Sequence, residues 1–192
     1  MSYLLLGLII FLGVHSLRIF ADNWRTQRVA AVGELTYKGL YSVASLAGFV
    51  LIVLGFGVAR ETPSVLWTPP MGMRHAASLL TLIAFVFLAA AYIPGNAIKA
   101  RVHHPMVLAV KTWAAAHLLA NGTWAHVVLF GAFLAWAVLD YVAARRRDRV
   151  MGTTYPAGSA RRTWLTVEIG TAAWVIFAFW AHGLLIGIRP FG

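Results

Sequence analysis

Apolar residues along this chain neither alternate nor recur at a helical spacing; they come in long runs, with most charges gathered between them. Six runs stand out: Tyr3–Ala21, Gly39–Ala59, Ala76–Ile93, Met106–Ala120, Trp124–Ala143 and Leu165–Ile186. A run of about 20 apolar residues matches the hydrocarbon thickness of a bilayer at the helical rise, and a helix satisfies every backbone group there by itself. The pattern predicts an all-α, polytopic transmembrane bundle of about six spans forming a single domain. The fourth run is the shortest and carries Lys111, so it reads either as a short tilted helix or as a re-entrant segment, with Lys111 close enough to one end to reach the headgroups. Only Asn121, Gly122 and Thr123 separate it from the fifth, a turn signal that makes the two an antiparallel hairpin. The first run lacks a basic n-region and closes on Arg18, Asp22 and Arg25 without a small-residue cleavage site. It reads as a retained span, not a signal peptide.

Of the 192 residues, 60% are apolar and 11% charged, where a soluble domain has about 45–50% and about 25%. Six spans leave no room for a soluble domain. Sixteen Lys and Arg against six Asp and Glu give a net charge of +10, which in a soluble fold would suggest a nucleic-acid partner. Position explains it otherwise. With the N-terminus outside, the inner loops hold Arg25, Arg28, Lys38, Lys99, Arg101 and six arginines between Arg145 and Arg162, whereas the outer segments hold Arg60, Arg74 and Arg189. This is the positive-inside bias, with a secondary attraction to anionic headgroups. The implied partner is the lipid bilayer, and nothing calls for nucleic acid. The stretch from Ala144 to Trp164, with its Arg run, Gly152, Pro156 and Gly158, reads as a flexible cytoplasmic loop. The chain has no cysteine, which excludes disulfides, thiolate catalysis and Cys-ligated zinc or iron–sulfur sites.

Ionisable residues within a bilayer are functional suspects, and here they are mostly histidine. The six acids lie in loops or near span ends, and neither a Walker loop, a GxSxG elbow nor a HExxH pair occurs. His75, His103 and His126 sit near interfaces. His15 lies about 18 Å into its span at the helical rise, too deep for its ring to reach water. Neutral imidazole is a common metal ligand, and two can hold a haem iron from both sides; each histidine can equally be a hydrogen-bonding bridge between helices. Arg18 shares the His15 face, where it serves either a haem propionate or the headgroups. Trp113, His117 and Asn121 form one stripe at i, i+4 and i+8, readable as a ligand site with an aromatic wall or as a packed Trp, a bridging His and a helix cap. By depth alone His75, His117, His126 and His182 form a competing outer group, and spacing does not choose between them.

Gly13-Val14-His15-Ser16-Leu17-Arg18 in the first run, and His104-Pro105-Met106 followed by Trp113-Ala114-Ala115-Ala116-His117-Leu118-Leu119-Ala120-Asn121-Gly122, resemble the NnrU family over nearly the whole chain. The Arg usual before His-Pro is His103 here. The resemblance implies a bacterial inner-membrane protein, supporting or sensing in nitrite and nitric oxide reduction, with a respiratory nitrite or nitric oxide reductase as partner; the loop charges put both termini in the periplasm. The family is also similar to zeta-carotene isomerase, a membrane enzyme with b-type haem, whose ligating histidines correspond to His15 and His117. The expectation is a haem b protein with those two ligands, Arg18 toward a propionate, and Trp113 and Asn121 lining the site. The alternatives are a haem-dependent cis–trans isomerase of a polyene, a metal-free assembly partner of a respiratory complex, and an S-adenosylmethionine-dependent membrane methyltransferase, to which the His-Pro region alone is similar.

Overall fold

Between helices in lipid there is little hydrophobic drive, so close association needs small residues that let backbones touch. The first two spans meet in this way. In the computed structural model, which describes residues 1–191, helix α1 (Ser2–Phe20) packs along α3 (Glu34–Glu61). A Cβ on Gly7 would come within 2.6 Å of the Ile52 backbone nitrogen, and one on Gly48 within 2.7 Å of the Phe11 nitrogen. Gly55 faces the Leu4 backbone still more closely, and Leu4 is 0% exposed. The glycines are therefore contact points, spaced so that α1 lies flat on α3.

The chain forms two compact units. The first comprises Met1–Thr68 and Gly122–Ala143. Besides α1 and α3 it contains α2 (Asp22–Val32), which buries none of its residues, and the first five turns of α7 (Trp124–Met151). The segment after α3 anchors the start of α7: Leu66 and Trp67 donate to the Gly122 carbonyl at 2.8 and 3.2 Å, and Trp124 donates to the Ser64 carbonyl at 2.9 Å. The Trp67 carbonyl lies directly against the Gly122 α-carbon, leaving no space for a side chain.

The second unit comprises Pro69–Asn121 and the chain from Ala144 onward. Helix α4 (Gly72–Tyr92) packs on α6 (Pro105–Ala120) and on α8 (Ala160–Ile176), with buried alanines such as Ala84, Ala90, Ala114 and Ala116 allowing the approach. A π-helical turn, Phe177–Ala181, joins α8 to α9 (His182–Ile186). The Trp174 indole donates to Thr81 Oγ1 at 3.0 Å. Short α5 (Ala97–Val102) begins on Asn96, which is 1% exposed. Its Oδ1 accepts from Lys99 N at 2.7 Å, while Nδ2 donates to the Ala90 carbonyl at 3.0 Å and to that of Ile93. One side chain thus closes α4 and opens α5. Asn96→Ala removes an N-cap and strands buried carbonyls, an expected loss of about 2–4 kcal/mol. Equilibrium unfolding in mixed micelles should show it, and an unchanged midpoint would deny Asn96 this double role.

Among the described residues five helical segments are long and apolar enough to cross a membrane: α1, α3, α4, α7 and Ala160–Ile186. The expected fourth span is a regular but short helix, the 16 residues of α6, about 24 Å long. The expected flexible stretch Ala144–Trp164 is corrected. Helix α7 runs 28 residues to Met151, because arginine is a good helix former, and α8 resumes at Ala160. The short link between them is held down. Gly152, at φ +62°, ends α7 with Thr153 N donating to the Asp148 carbonyl at 2.9 Å, a Schellman-type closure. Ser159 N donates to the Gly95 carbonyl at 2.9 Å, and Ala97 N to Thr163 Oγ1 at 2.9 Å.

Asp148 Oδ2 gathers three donors: His104 Nε2 at 2.8 Å, Arg145 Nη1 at 3.0 Å and the Tyr155 hydroxyl at 3.0 Å. Burial raises this carboxyl, but the hydrogen bonds from His104, Tyr155 and Arg145 outweigh burial and hold it below the ordinary carboxylate value. Beside it, His103 has φ +67° and ψ −52°, with His104 N donating to the Val102 carbonyl at 2.8 Å. That is a classic γ-turn, rare and strained by about 1–3 kcal/mol. Pro105 disfavours helix at His104, so α5 must break there, and the His103 ring rests on Tyr155 at a centroid distance of 4.3 Å.

Candidate functional site

His15 stands in the first unit. Its Nδ1 lies 2.6 Å from the Phe11 carbonyl oxygen, one turn back on α1. A carbonyl only accepts, so Nδ1 carries the proton and, in the neutral ring, Nε2 carries the lone pair. This tautomer is the one a metal ligand needs, and the backbone bond also fixes the ring's orientation. Aromatic rings from three helices surround it: Phe11 of α1 stacks at 4.2 Å, Tyr41 of α3 lies at 5.2 Å, and Trp136 of α7 presents an edge at 6.1 Å. Phe11 in turn touches Phe49 and Phe133. The Gly48 contact brings the Phe11 backbone onto α3, so the helix seam positions the stack on His15.

One polar atom beside this cage is unsatisfied. Trp136 Nε1 is buried with no hydrogen-bond partner among the described residues. An indole N–H can only donate, and leaving it unmade costs about 1–3 kcal/mol. An acceptor group on a bound molecule would satisfy it. An oriented Nε2 lone pair and an unsatisfied donor are chemically compatible with an iron-containing group that carries an acceptor. Arg18 follows His15 by three residues, exposed in the last turn of α1, where a cation also favours the helix dipole.

His117 stands in the second unit and repeats the local design. Its Nδ1 lies 2.9 Å from the Trp113 carbonyl oxygen, and the Trp113 ring is 5.2 Å away. Each histidine therefore has an aromatic residue four positions earlier that supplies both a ring and the orienting carbonyl. Asn121 does not meet the imidazole; its Nδ2 donates to the His117 carbonyl at 2.9 Å, and the residue caps α6 in an extended conformation.

Three further histidines lie outside both arrangements. His126 Nδ1 lies 2.6 Å from Thr123 Oγ1, and its ring meets Phe56 edge-on at 5.2 Å. His182 Nδ1 lies 2.6 Å from the Ile188 carbonyl oxygen, and His75 is exposed in the first turn of α4. No group of three or more His, Asp or Glu able to hold a metal ion occurs among the described residues. Sequence reasoning did not identify Phe11, Tyr41 or Trp136. Phe11 was discoverable, since it precedes His15 as Trp113 precedes His117; the other two come from distant helices.

The family model described as NnrU protein matches residues 3–190. No curated protein and no solved structure matches the chain.

Proposed function

Because the chain belongs to the NnrU family, we propose that it is an integral inner-membrane protein that binds b-type haem through His15 and His117 and supports nitrite or nitric oxide reduction. The observation that carries this reading is the His15 cage, with its Nδ1 tied to the Phe11 carbonyl at 2.6 Å and the buried Trp136 Nε1 awaiting an acceptor. In it, Phe11, Tyr41 and Trp136 shield the imidazole from water, while the backbone bond would hold Nε2 as the ligating atom. His117 supplies the second imidazole, oriented by Trp113, and Arg18 pairs with a propionate. Bound haem b would supply a one-electron redox centre, and nitric oxide would bind its iron only in exchange for one ligand. On this reading both termini lie in the periplasm and the Arg145–Arg162 region in the cytoplasm, which the distribution of Lys and Arg supports. The partner on this reading is a respiratory nitrite or nitric oxide reductase.

The test uses a denitrifying host lacking its own protein of this family. Complementation with the wild-type chain should restore nitric oxide consumption by membranes, and complementation with His15→Ala at equal expression should restore less than about a tenth of it. Equal restoration by both would remove His15 from the function. A changed carotenoid isomer profile without any effect on nitric oxide would replace this function with polyene isomerisation.

A further inference from the structure

A pocket of about 380 Å³ in the second unit plays no part in the haem reading. It is lined by Ala100 and His103 from the α5 region, by Arg145, Asp148 and Arg149 from the end of α7, and by Gly152, Thr153 and Tyr155 from the link to α8. Its charges do not cancel. The one lining carboxylate, Asp148, already receives His104, Arg145 and Tyr155 on a single oxygen. Arg145 uses Nη1 there and retains its other guanidinium N–H groups for a further acceptor. Arg149 makes no ion pair among the described residues. Two guanidinium groups, an imidazole and the Thr153 hydroxyl thus border one cavity.

We infer that this pocket binds the phosphate group of a phosphate ester. A tetrahedral anion with several acceptor oxygens suits donors arriving from three chain segments, whereas a carboxylate is satisfied by a single guanidinium fork. The level is also right for a lipid. The apolar part of α7 ends at Ala143 and the arginines follow within one to two turns, which is where headgroup phosphates lie. The His103 ring, presented by the γ-turn, rests on Tyr155, and both residues line the pocket with the arginines. The phosphate comes either from a lipid headgroup or from a soluble ester, and both present the same chemistry.

A general attraction between an arginine-rich helix end and anionic lipid would not need a pocket, and the test separates the two. Arg146 is exposed, adjacent in sequence to Arg145, and does not line the cavity. Purified full-length protein in neutral detergent is titrated with glycerol 1-phosphate and, separately, with a short-chain phosphatidylglycerol below its critical micelle concentration, binding being followed calorimetrically. Saturable binding of at least one probe is expected, weakened about tenfold by Arg149→Gln and less than twofold by Arg146→Gln. Binding of the lipid alone identifies a headgroup site, and binding of both probes identifies a site open to soluble esters. Equal losses in the two variants, or no saturable binding of either probe, would overturn the inference. Arg149 is exposed, so circular dichroism of Arg149→Gln should match wild type, and rescue of binding by Arg149→Lys is expected because the charge returns.

Discussion

Gly48→Val should disrupt the first unit by more than about 3 kcal/mol and remove any cofactor the unit holds. A β-carbon at Gly48 would lie 2.7 Å from the Phe11 nitrogen and 3.0 Å from the Phe11 α-carbon. These are backbone atoms of a neighbouring helix, so no side-chain rotation relieves the overlap, and α1 must move away from α3. Overpacking of a tight contact typically costs 1–3 kcal/mol and occasionally more; here the displacement also unseats Leu4 and Leu8, which are 0% and 5% exposed. It further shifts Phe11, the ring stacked on His15 at 4.2 Å. Gly57 provides the control, since a Cβ there meets nothing within 4 Å on the same helix α3. Gly57→Val should unfold at the wild-type midpoint in a mixed-micelle titration, whereas Gly48→Val should be largely unfolded in mild detergent. Equal midpoints would show that the glycine seam does not hold these helices together.

The second large effect concerns the ligands. If the proposed ligands are right, His15→Ala and His117→Ala should each abolish a low-spin, six-coordinate haem spectrum, leaving five-coordinate or empty protein, because each would remove one of the two imidazoles that hold the iron. His126→Ala and His75→Ala should leave the spectrum intact, because the proposed pair gives neither residue a bond to iron; His126 Nδ1 contacts Thr123 Oγ1 at 2.6 Å, and His75 is exposed. Loss of haem in His126→Ala with retention in His15→Ala would transfer the site to the outer histidines.

Much of this architecture is legible in the sequence because lipid imposes a coarse rule: apolar runs of sufficient length become helices whatever their detailed composition. The six runs correspond to α1, α3, α4, α6, α7 and the helical stretch Ala160–Ile186. The rule is silent about what extends beyond the hydrocarbon. Helix α3 begins at Glu34, five residues before its apolar run, and α7 continues through Arg145–Arg149 to Met151, since helix propensity does not stop where hydropathy does. Helix α2 escaped notice because it buries nothing and so shows no apolar stripe, and α5 because its start is set by one buried asparagine. At the candidate site the sequence marked His15 and His117 by depth, neighbours and resemblance. It left open whether Asn121 caps a helix or meets the ring; the side chain bonds the His117 carbonyl. The cage around His15 was out of reach because Tyr41 and Trp136 meet it only through tertiary packing, which no spacing along one helix encodes.

The measurement that tests the central claim most directly is the absorption spectrum of the wild-type chain purified from haem-replete membranes. A Soret band, sharp α and β bands on dithionite reduction, and a pyridine haemochrome giving about one haem b per chain are the predicted result. A protein that is well folded by circular dichroism, yet shows no absorption above the aromatic band, would contradict haem binding by His15 and His117.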